Sequence, residues 1–247
     1  MANDYFQFKQ FTVWQQHCAM KVGTDGTLLG AWARGGNHIL DVGTGTGLIA
    51  MMMAQRFAQA RIVGIDIDAE AAAQARSTVE ASPFAYRITI LQQDFANPFP
   101  LPSPLSPLTS HLSPLTSHPS PLPSRFDAIV SNPPFFTDAL PSPDTRRTLA
   151  RHATTLPFSV LMQRSWQLLS DQGELSLVIP ADGRSLVESE AVLAGFFKCR
   201  ECAVRTSPRK PAKRLLLAFA KHPRGMERTE LIIGSDAYTE LTKDFYL

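Results

Sequence analysis

The chain has 247 residues, 44% of them hydrophobic, which is enough for the core of one large globular domain or two small ones. Its 24 Lys and Arg residues nearly balance 22 Asp and Glu residues, which gives a net charge of +2. A charge this small does not attract a nucleic acid to the protein as a whole, so such a partner would need a local basic patch. No apolar run approaches about 18 residues, and the first twenty residues have no continuous apolar core, so neither a transmembrane helix nor a signal peptide is predicted.

The cysteines, Cys18, Cys199 and Cys202, are few and odd in number, which fits a reducing cytoplasm. Cys199 and Cys202 have the C-x-x-C spacing of half a zinc site. No second pair or nearby histidine completes such a site, so no metal is expected.

The first segment, residues 1–20, mixes aromatic and polar residues. It predicts an N-terminal arm or irregular cap that either packs on the domain or covers a ligand. A short helix is predicted over residues 27–33, with Thr24 or Asp25 as its N-cap, because such side chains accept hydrogen bonds from the first helical turn.

A glycine-rich loop follows the first predicted strand, residues 38–42, and precedes an apolar helix at 48–55. Its pattern, Asp41-x-Gly43-x-Gly45-x-Gly47, differs from the dinucleotide fingerprint because the third glycine comes one residue early. The pattern resembles motif I of class I methyltransferases that use S-adenosylmethionine. In those enzymes the loop accommodates the methionine part of the cofactor.

Acidic residues also follow the next two predicted strands, residues 61–66 and 87–91. Asp66 lies 19 residues after Gly47, near the spacing of a carboxylate that holds ribose hydroxyls. Asp68 is predicted to cap the helix over 69–80, with a ribose ligand as the alternative. In the methyltransferase pattern Asp94 contacts the adenine amine of the cofactor; otherwise it is a turn residue at a strand end.

Residues 98–124 are rich in proline and serine and repeat every seven residues. Proline in every copy excludes a coiled coil, and the composition predicts a flexible insert. His111 and His118 owe their spacing to this repeat and are poor metal ligands on that ground.

The strand predicted at 126–130 ends in Asn132-Pro133-Pro134-Phe135, because the prolines have no N–H for a sheet. The loop presents the Asn132 amide, the Pro133 carbonyl and the Phe135 ring. Two acceptors and an aromatic face suit a planar ring that carries an exocyclic NH2 group. The alternative is a proline-rich turn capped by a core phenylalanine.

The rest of the chain alternates predicted helices and strands, which indicates an α/β fold. We expect a doubly wound, mostly parallel, seven-stranded sheet of the Rossmann-like type, with an antiparallel edge strand. The predicted helices are 144–151, 157–170, 185–196 and 236–245, and the predicted strands are 174–180, 198–206, 213–220 and 229–233. The connection between the strands at 198–206 and 213–220 is basic.

The Asn-Pro-Pro-Phe loop resembles motif IV of amino-methyltransferases. Further stretches resemble the bacterial tRNA1(Val) N6-adenine methyltransferase family: residues 20–25, 28–33, 237–242 and 245–247. The resemblance covers nearly the whole chain except the Pro/Ser-rich insert. The family pattern has tyrosine at Phe135, so phenylalanine keeps the stacking face and lacks the hydroxyl.

The resemblance implies one methyltransferase domain over residues 1–247, S-adenosylmethionine as cofactor and the adenosine just 3′ of the anticodon, adenine 37, as target. The partner is then the anticodon stem-loop of tRNA, and the protein is a cytoplasmic monomer without metal. The implied cofactor-binding residues are Thr24, Asp41, Gly43, Gly45, Gly47, Asp66, Asp94 and Asn132. The implied catalytic residues are Asn132, Pro133 and Phe135, and the implied substrate-binding residues are Phe135, Arg209, Lys210, Lys213 and Arg214.

Other functions remain open on the sequence. A glutamine amide in a protein, or an adenine in ribosomal RNA or DNA, is also a possible substrate of an Asn-Pro-Pro-aromatic loop. A third interpretation is a module that binds the cofactor without catalysis. The intact Asn132 and Pro133 argue against it. The basic connection is either a phosphate contact or a solvated loop.

Overall fold

A computed structural model of the protein describes residues 4–16, 21–98, 122–135 and 156–247. The helix expected at 144–151, most of the insert expected at 98–124, its two histidines and Cys18 lie outside the described residues. The division into one domain with a flexible insert stays a prediction.

Ten strands and six helices are found within the described residues. The strands are β1 (Tyr5–Gln7), β2 (Thr12–Trp14), β3 (His38–Val42), β4 (Arg61–Asp66), β5 (Ile88–Gln92), β6 (Phe126–Ser131), β7 (Leu169–Pro180), β8 (Phe197–Arg205), β9 (Arg214–Ala220) and β10 (Glu227–Ile232). The helices are α1 (Thr24–Trp32), α2 (Leu48–Arg56), α3 (Ala69–Glu80), α4 (Phe158–Leu168), α5 (Arg184–Leu193) and α6 (Asp236–Thr242).

The main sheet has the order β10-β8-β9-β7-β6-β3-β4-β5. The pairs from β5 to β7 are parallel, β10 is parallel to β8, and β9 runs antiparallel to both β7 and β8. The α/β class and the mostly parallel sheet are therefore confirmed.

Two details of the predicted sheet differ from the structure. The sheet has eight strands within the described part of the chain, because the polar strand β10 pairs through its backbone with β8. The antiparallel strand β9 is an internal strand rather than an edge strand. Its side chains from Leu215 to Ala220 are buried, as a strand with neighbours on both sides requires.

Both faces of the sheet are covered, which explains why its central strands are apolar almost throughout. Ile39 and Ala128 are register partners that point toward α1, α2, α3 and α6. Leu40 and Ile129, one position further along, point to the opposite face, toward α4 and α5. The core thus consists of two apolar layers separated by the sheet.

The N-terminal arm is a β-hairpin of β1 and β2 that packs on the first of these layers. Phe8 is buried, and its ring stacks on Tyr246 with the centroids 5.9 Å apart. The Lys9 N–H donates to the Phe245 carbonyl at 2.9 Å. Of the two roles predicted for the arm, packing on the domain is the one observed.

The two cysteines of the C-x-x-C pair are buried in β8. The Cys199 thiol lies 3.4 Å from the Ala218 carbonyl, to which it donates, and burial raises its pKa to about 11. Among the residues that the structure describes, no group of three or more His, Cys, Asp and Glu side chains is arranged to hold a metal ion. The described helices also include none long and apolar enough to cross a membrane.

Candidate active site

The loops with the predicted ligand-binding residues follow β3, β4, β5 and β6. These four strands are adjacent and parallel, so their carboxyl ends lie along one edge of the sheet. The chain leaves β3 toward β4 and returns to β6 on the other side of β3. Ligands of open α/β sheets bind at such a reversal of strand order.

The glycine loop approaches this edge with its backbone. Gly43, Gly45 and Gly47 have φ angles of 71°, 55° and 82°, in the left-handed region that other residues rarely adopt. A Cβ added at Gly43 or at Gly45 would meet no atom within 4 Å. The loop therefore leaves open space that side chains would fill, as a loop that cradles a ligand requires.

Asp41 lies beneath this loop and is completely buried. Its Oδ2 accepts hydrogen bonds from the Thr44 hydroxyl at 2.7 Å and from the Ala50 N–H at 3.1 Å. Its Oδ1 has no hydrogen-bond partner among the described residues. Burial raises the pKa of the Asp41 carboxyl to about 7, although both hydrogen bonds oppose the shift. In the structure Asp41 holds the loop to α2; its direct contact with a cofactor stays a prediction.

Asp66 lies at the end of β4 and contacts the glycine loop. Its Oδ2 accepts from the Gly45 N–H at 2.9 Å, and its Oδ1 accepts from the Asp68 N–H at 3.0 Å. Burial raises the pKa of the Asp66 carboxyl, while these N–H bonds oppose the shift. A half-buried carboxylate beside the loop is placed as a ribose ligand would be, and its role stays a prediction.

The other two acids form local hydrogen bonds. Asp68 caps α3, as predicted, because its Oδ1 accepts from the Glu70 and Ala71 N–H groups at 2.8 and 3.2 Å. Asp94 accepts from the Ala96 N–H at 2.9 Å and from the Asn97 amide at 3.1 Å. It thus builds the turn after β5, which was the alternative to its predicted contact with the cofactor adenine.

The Asn-Pro-Pro-Phe loop begins where β6 ends. The buried Ser131 hydroxyl donates to the Val42 carbonyl at 2.8 Å, which joins this loop to the end of β3. Pro133 is buried, and Asn132 is partly exposed. No hydrogen bond joins the Asn132 side chain to another of the described residues. Ser131 was not predicted, because a serine at a strand end carries no signal of its own.

The Phe135 ring is half-buried and packs toward α4. Its centroid lies 5.4 Å from that of Phe158, with the planes at 49°. The ring also approaches Gly183 in the turn after β7, where a Cβ would lie 2.0 Å from the Phe135 Cζ. Phe135 thus packs against the apolar core, as the alternative interpretation of the loop expected. The ring is nevertheless only partly buried and remains partly exposed at the loop.

Thr24 is exposed at the first position of α1, and the predicted N-cap is wrong. Gly23 is the N-cap, and no side chain makes a capping hydrogen bond at this end of α1. Thr24 lies within the helix, and the Asp25 carboxylate instead accepts from the Arg214 Nε at 2.7 Å. The described contacts do not bring Thr24 to the glycine loop, so its cofactor role stays a prediction.

The basic connection between β8 and β9 lies at the same sheet edge, because β8 runs parallel to β7 and β9 returns. The Ala181 N–H after β7 donates to the Lys213 carbonyl at 3.1 Å. Arg209, Lys210 and Lys213 are exposed, without ion pairs among the described residues. Arg214 differs from the other three because its guanidinium is bonded to Asp25, 189 positions away in the chain.

The fold and the loops at its carboxyl edge define a class I methyltransferase, whose cofactor is S-adenosylmethionine. Residues 39–113 match the family model described as a methyltransferase domain. A predicted O-methyltransferase from Agrobacterium tumefaciens has a similar fold, with a TM-score of 0.65 at 20% identity, over 90% of this chain and 96% of that one.

Curated relatives share the whole length of the chain. A tRNA1(Val) (adenine(37)-N6)-methyltransferase from Bacteroides thetaiotaomicron is 42% identical over 256 residues, covering 100% of this chain and 99% of the relative. A protein of the same name from Porphyromonas gingivalis is 44% identical over 262 residues, covering 100% and 96%. The chain therefore belongs to the tRNA1(Val) (adenine(37)-N6)-methyltransferase family, as its sequence motifs indicated.

Proposed function

We propose that this protein transfers a methyl group from S-adenosylmethionine to N6 of adenine 37 in tRNA1(Val). The observation that carries the proposal is the position of the Asn132 loop beside the glycine loop. The two loops follow the paired strands β6 and β3 and are joined by the bond from Ser131 to Val42. Within this family, that arrangement suits an amine acceptor next to a methyl donor.

The residues at the sheet edge fit the cofactor. The open backbone at Gly43 and Gly45 supports assigning the methionine part to this loop, and the position of the Asp66 carboxylate beside the loop supports its assignment to the ribose hydroxyls. Asp94 keeps spare lone pairs for the adenine amine, because a carboxylate offers about four acceptor sites. When bound, S-adenosylmethionine supplies an electrophilic methyl group.

The Asn132 loop then positions the substrate amine. The Asn132 Oδ1 and the Pro133 carbonyl would each accept a hydrogen bond from one of the two N6 hydrogens, and the methylated nitrogen would then release one proton to solvent. Because both hydrogens are held, the remaining lone pair of N6 has a fixed direction. Alignment of this kind lowers the activation barrier by about 7–11 kcal/mol, so the reaction needs no strong general base. Stacking on Phe135 contributes about 1–3 kcal/mol of binding.

The RNA is met by a local basic surface, as the near-neutral net charge requires. Arg209, Lys210 and Lys213 are exposed at the edge that also holds the Asn132 loop, and we assign them to the phosphates of the anticodon stem-loop. An adenine in such a loop is already unpaired, so presenting it costs less than from a duplex. We also infer that the protein acts as a monomer in the cytoplasm.

Labelled S-adenosylmethionine with separate pools of tRNA, ribosomal RNA, DNA and protein tests the proposal. Label should enter tRNA, at N6 of adenine 37. Asn132→Ala should lower turnover about 100-fold, like the loss of one oriented polar group, and leave cofactor affinity almost unchanged. Asn37→Ala is the matched control, because Asn37 is exposed before β3 and the hydrogen bonds seen for it are made by its backbone N–H and carbonyl, which the substitution keeps.

Either of two outcomes would contradict the proposal. Label in protein alone would indicate a glutamine amide as the acceptor. A folded Asn132→Ala protein that methylates tRNA at the wild-type rate would reduce Asn132 to a turn residue.

A further inference from the structure

We propose that Gly183 is a positioning residue for the methyl transfer: its missing side chain makes the space in which the Phe135 ring lies. The inference rests on the proposed function, in which that ring stacks on the target adenine. Gly183 belongs to the short 3₁₀ turn Ala181–Gly183 between β7 and α5, and it is buried.

The contact is made by the tip of the ring. A Cβ built on Gly183 would lie 2.0 Å from Cζ, 2.4 Å from Cε2 and 2.9 Å from Cε1 of Phe135. Carbon atoms in van der Waals contact are about 3.5–4.0 Å apart. Any side chain at position 183 therefore requires the Phe135 ring to move by about 1.5 Å, by the difference between these distances.

The backbone of Gly183 does not itself require glycine. Its φ of −78° and ψ of −5° are ordinary for every L-residue, and it directly precedes α5. Gly183 is the N-cap of α5, where glycine is preferred to alanine, but no side chain makes a capping hydrogen bond there. The contact with Phe135 thus depends on the absence of Cβ at Gly183, not on a backbone conformation that only glycine adopts.

The turn is held in place from its other side. Pro180 is the register partner of Arg214, and the Ala181 N–H bonds to the Lys213 carbonyl at 3.1 Å. The turn thus lies between Phe135 and the basic connection. Phe158 packs beside Phe135, with centroids 5.4 Å apart. These contacts fix the ring plane relative to the loop that we assign to the RNA backbone.

Gly183→Ala is the test, with Gly225→Ala as its control, because a Cβ at Gly225 meets nothing within 4 Å. A misplacement of about 1 Å at a reacting group costs on the order of 100-fold, so kcat/KM for tRNA should fall about 10- to 100-fold in Gly183→Ala. Cofactor affinity should change less than about twofold in both variants, since the glycine loop is untouched.

The Phe135→Ala background separates positioning from a general structural effect. If Gly183 acts through the ring, adding Gly183→Ala to Phe135→Ala should lower kcat/KM by less than about twofold. A further 10-fold loss in the double variant would show that the turn, and not the ring, is disturbed. Wild-type kcat/KM in Gly183→Ala would overturn the inference directly.

A measurement without substrate distinguishes this inference from the proposed function. The Hα protons of Gly183 should give a nuclear Overhauser cross-peak to the Phe135 ring, and Phe135→Ala should abolish it. An absent cross-peak in the wild type would refute the contact. If the cross-peak is present and the wild type methylates no tRNA, the proposed function fails while the ring contact stands.

Discussion

Replacing Asp41 with asparagine should remove a pH dependence from the stability of the cofactor-free protein. The Asp41 side chain is completely buried, and its Oδ1 has no partner among the described residues. Asparagine keeps one oxygen for the bonds from Thr44 and Ala50 and places its amide nitrogen where the unpaired oxygen lies. The variant should therefore fold with the same glycine loop and without the cost of a buried negative charge.

The sign follows from the direction of the shift. The pKa of Asp41 is raised to about 7 in the folded protein, against about 3.9 in an unfolded chain. Between these values the folded protein holds a proton that the unfolded chain has released. The free energy of unfolding of the wild type therefore falls as pH rises from about 4 to about 7. About three pH units correspond to an upper limit of about 4 kcal/mol.

Urea unfolding from about pH 4 to pH 8 measures this effect. The difference in unfolding free energy between Asp41→Asn and the wild type should grow in favour of the variant as pH rises, by up to about 4 kcal/mol. Asp244→Asn, at an exposed carboxylate, is the control variant over the same pH range. If the difference for Asp41→Asn is the same at every pH, the carboxyl is not protonated in the folded protein and the reasoning is refuted.

Two further perturbations concern the ligands. Asp66→Ala should weaken S-adenosylmethionine binding by about 1.5–3 kcal/mol in calorimetry, the range for hydrogen bonds to a charged group, and unchanged affinity in a folded variant would remove Asp66 from the cofactor site. Replacing Arg209, Lys210 and Lys213 together with serine should reduce the salt dependence of tRNA binding by up to about 3 logarithmic units per logarithmic unit of salt. Arg214→Ser, which loses the bond to Asp25, should leave that slope nearly unchanged, and equal effects of all four residues would show that Arg214 also contacts phosphate.

The part of the fold around β3 was predictable because several local signals coincide there. A short apolar strand, a glycine loop and an apolar helix follow one another, and β3, β4 and α3 have the predicted bounds. The position of β9 was not predictable in this way. Its apolar sequence identifies a buried strand, but its place between β7 and β8 depends on pairing with residues far along the chain.

The site shows the same distinction between local and distant information. The sequence predicts that Asp41, Asp66 and Asp94 lie at the ends of successive strands, and in the structure those strands, β3, β4 and β5, are adjacent. It does not reveal that Asp41 lies under the loop, because burial depends on how α2 packs. Nor does it reveal Gly183, since one glycine in a short turn carries no signal until the Phe135 ring is placed beside it.

The reversal of strand order at β3 has an evolutionary consequence. The loops assigned to the cofactor follow β3, β4 and β5, whereas those assigned to the substrate follow β6, β7 and β8. The two ligands are thus served by separate, consecutive stretches of the gene. Mutations that change the methyl acceptor can accumulate in the second stretch while the first stays under selection for the same cofactor. Contacts that cross between the stretches, such as those of Ser131 with the Val42 carbonyl and of Arg164 with the Asn97 carbonyl, are then places where the two must evolve together.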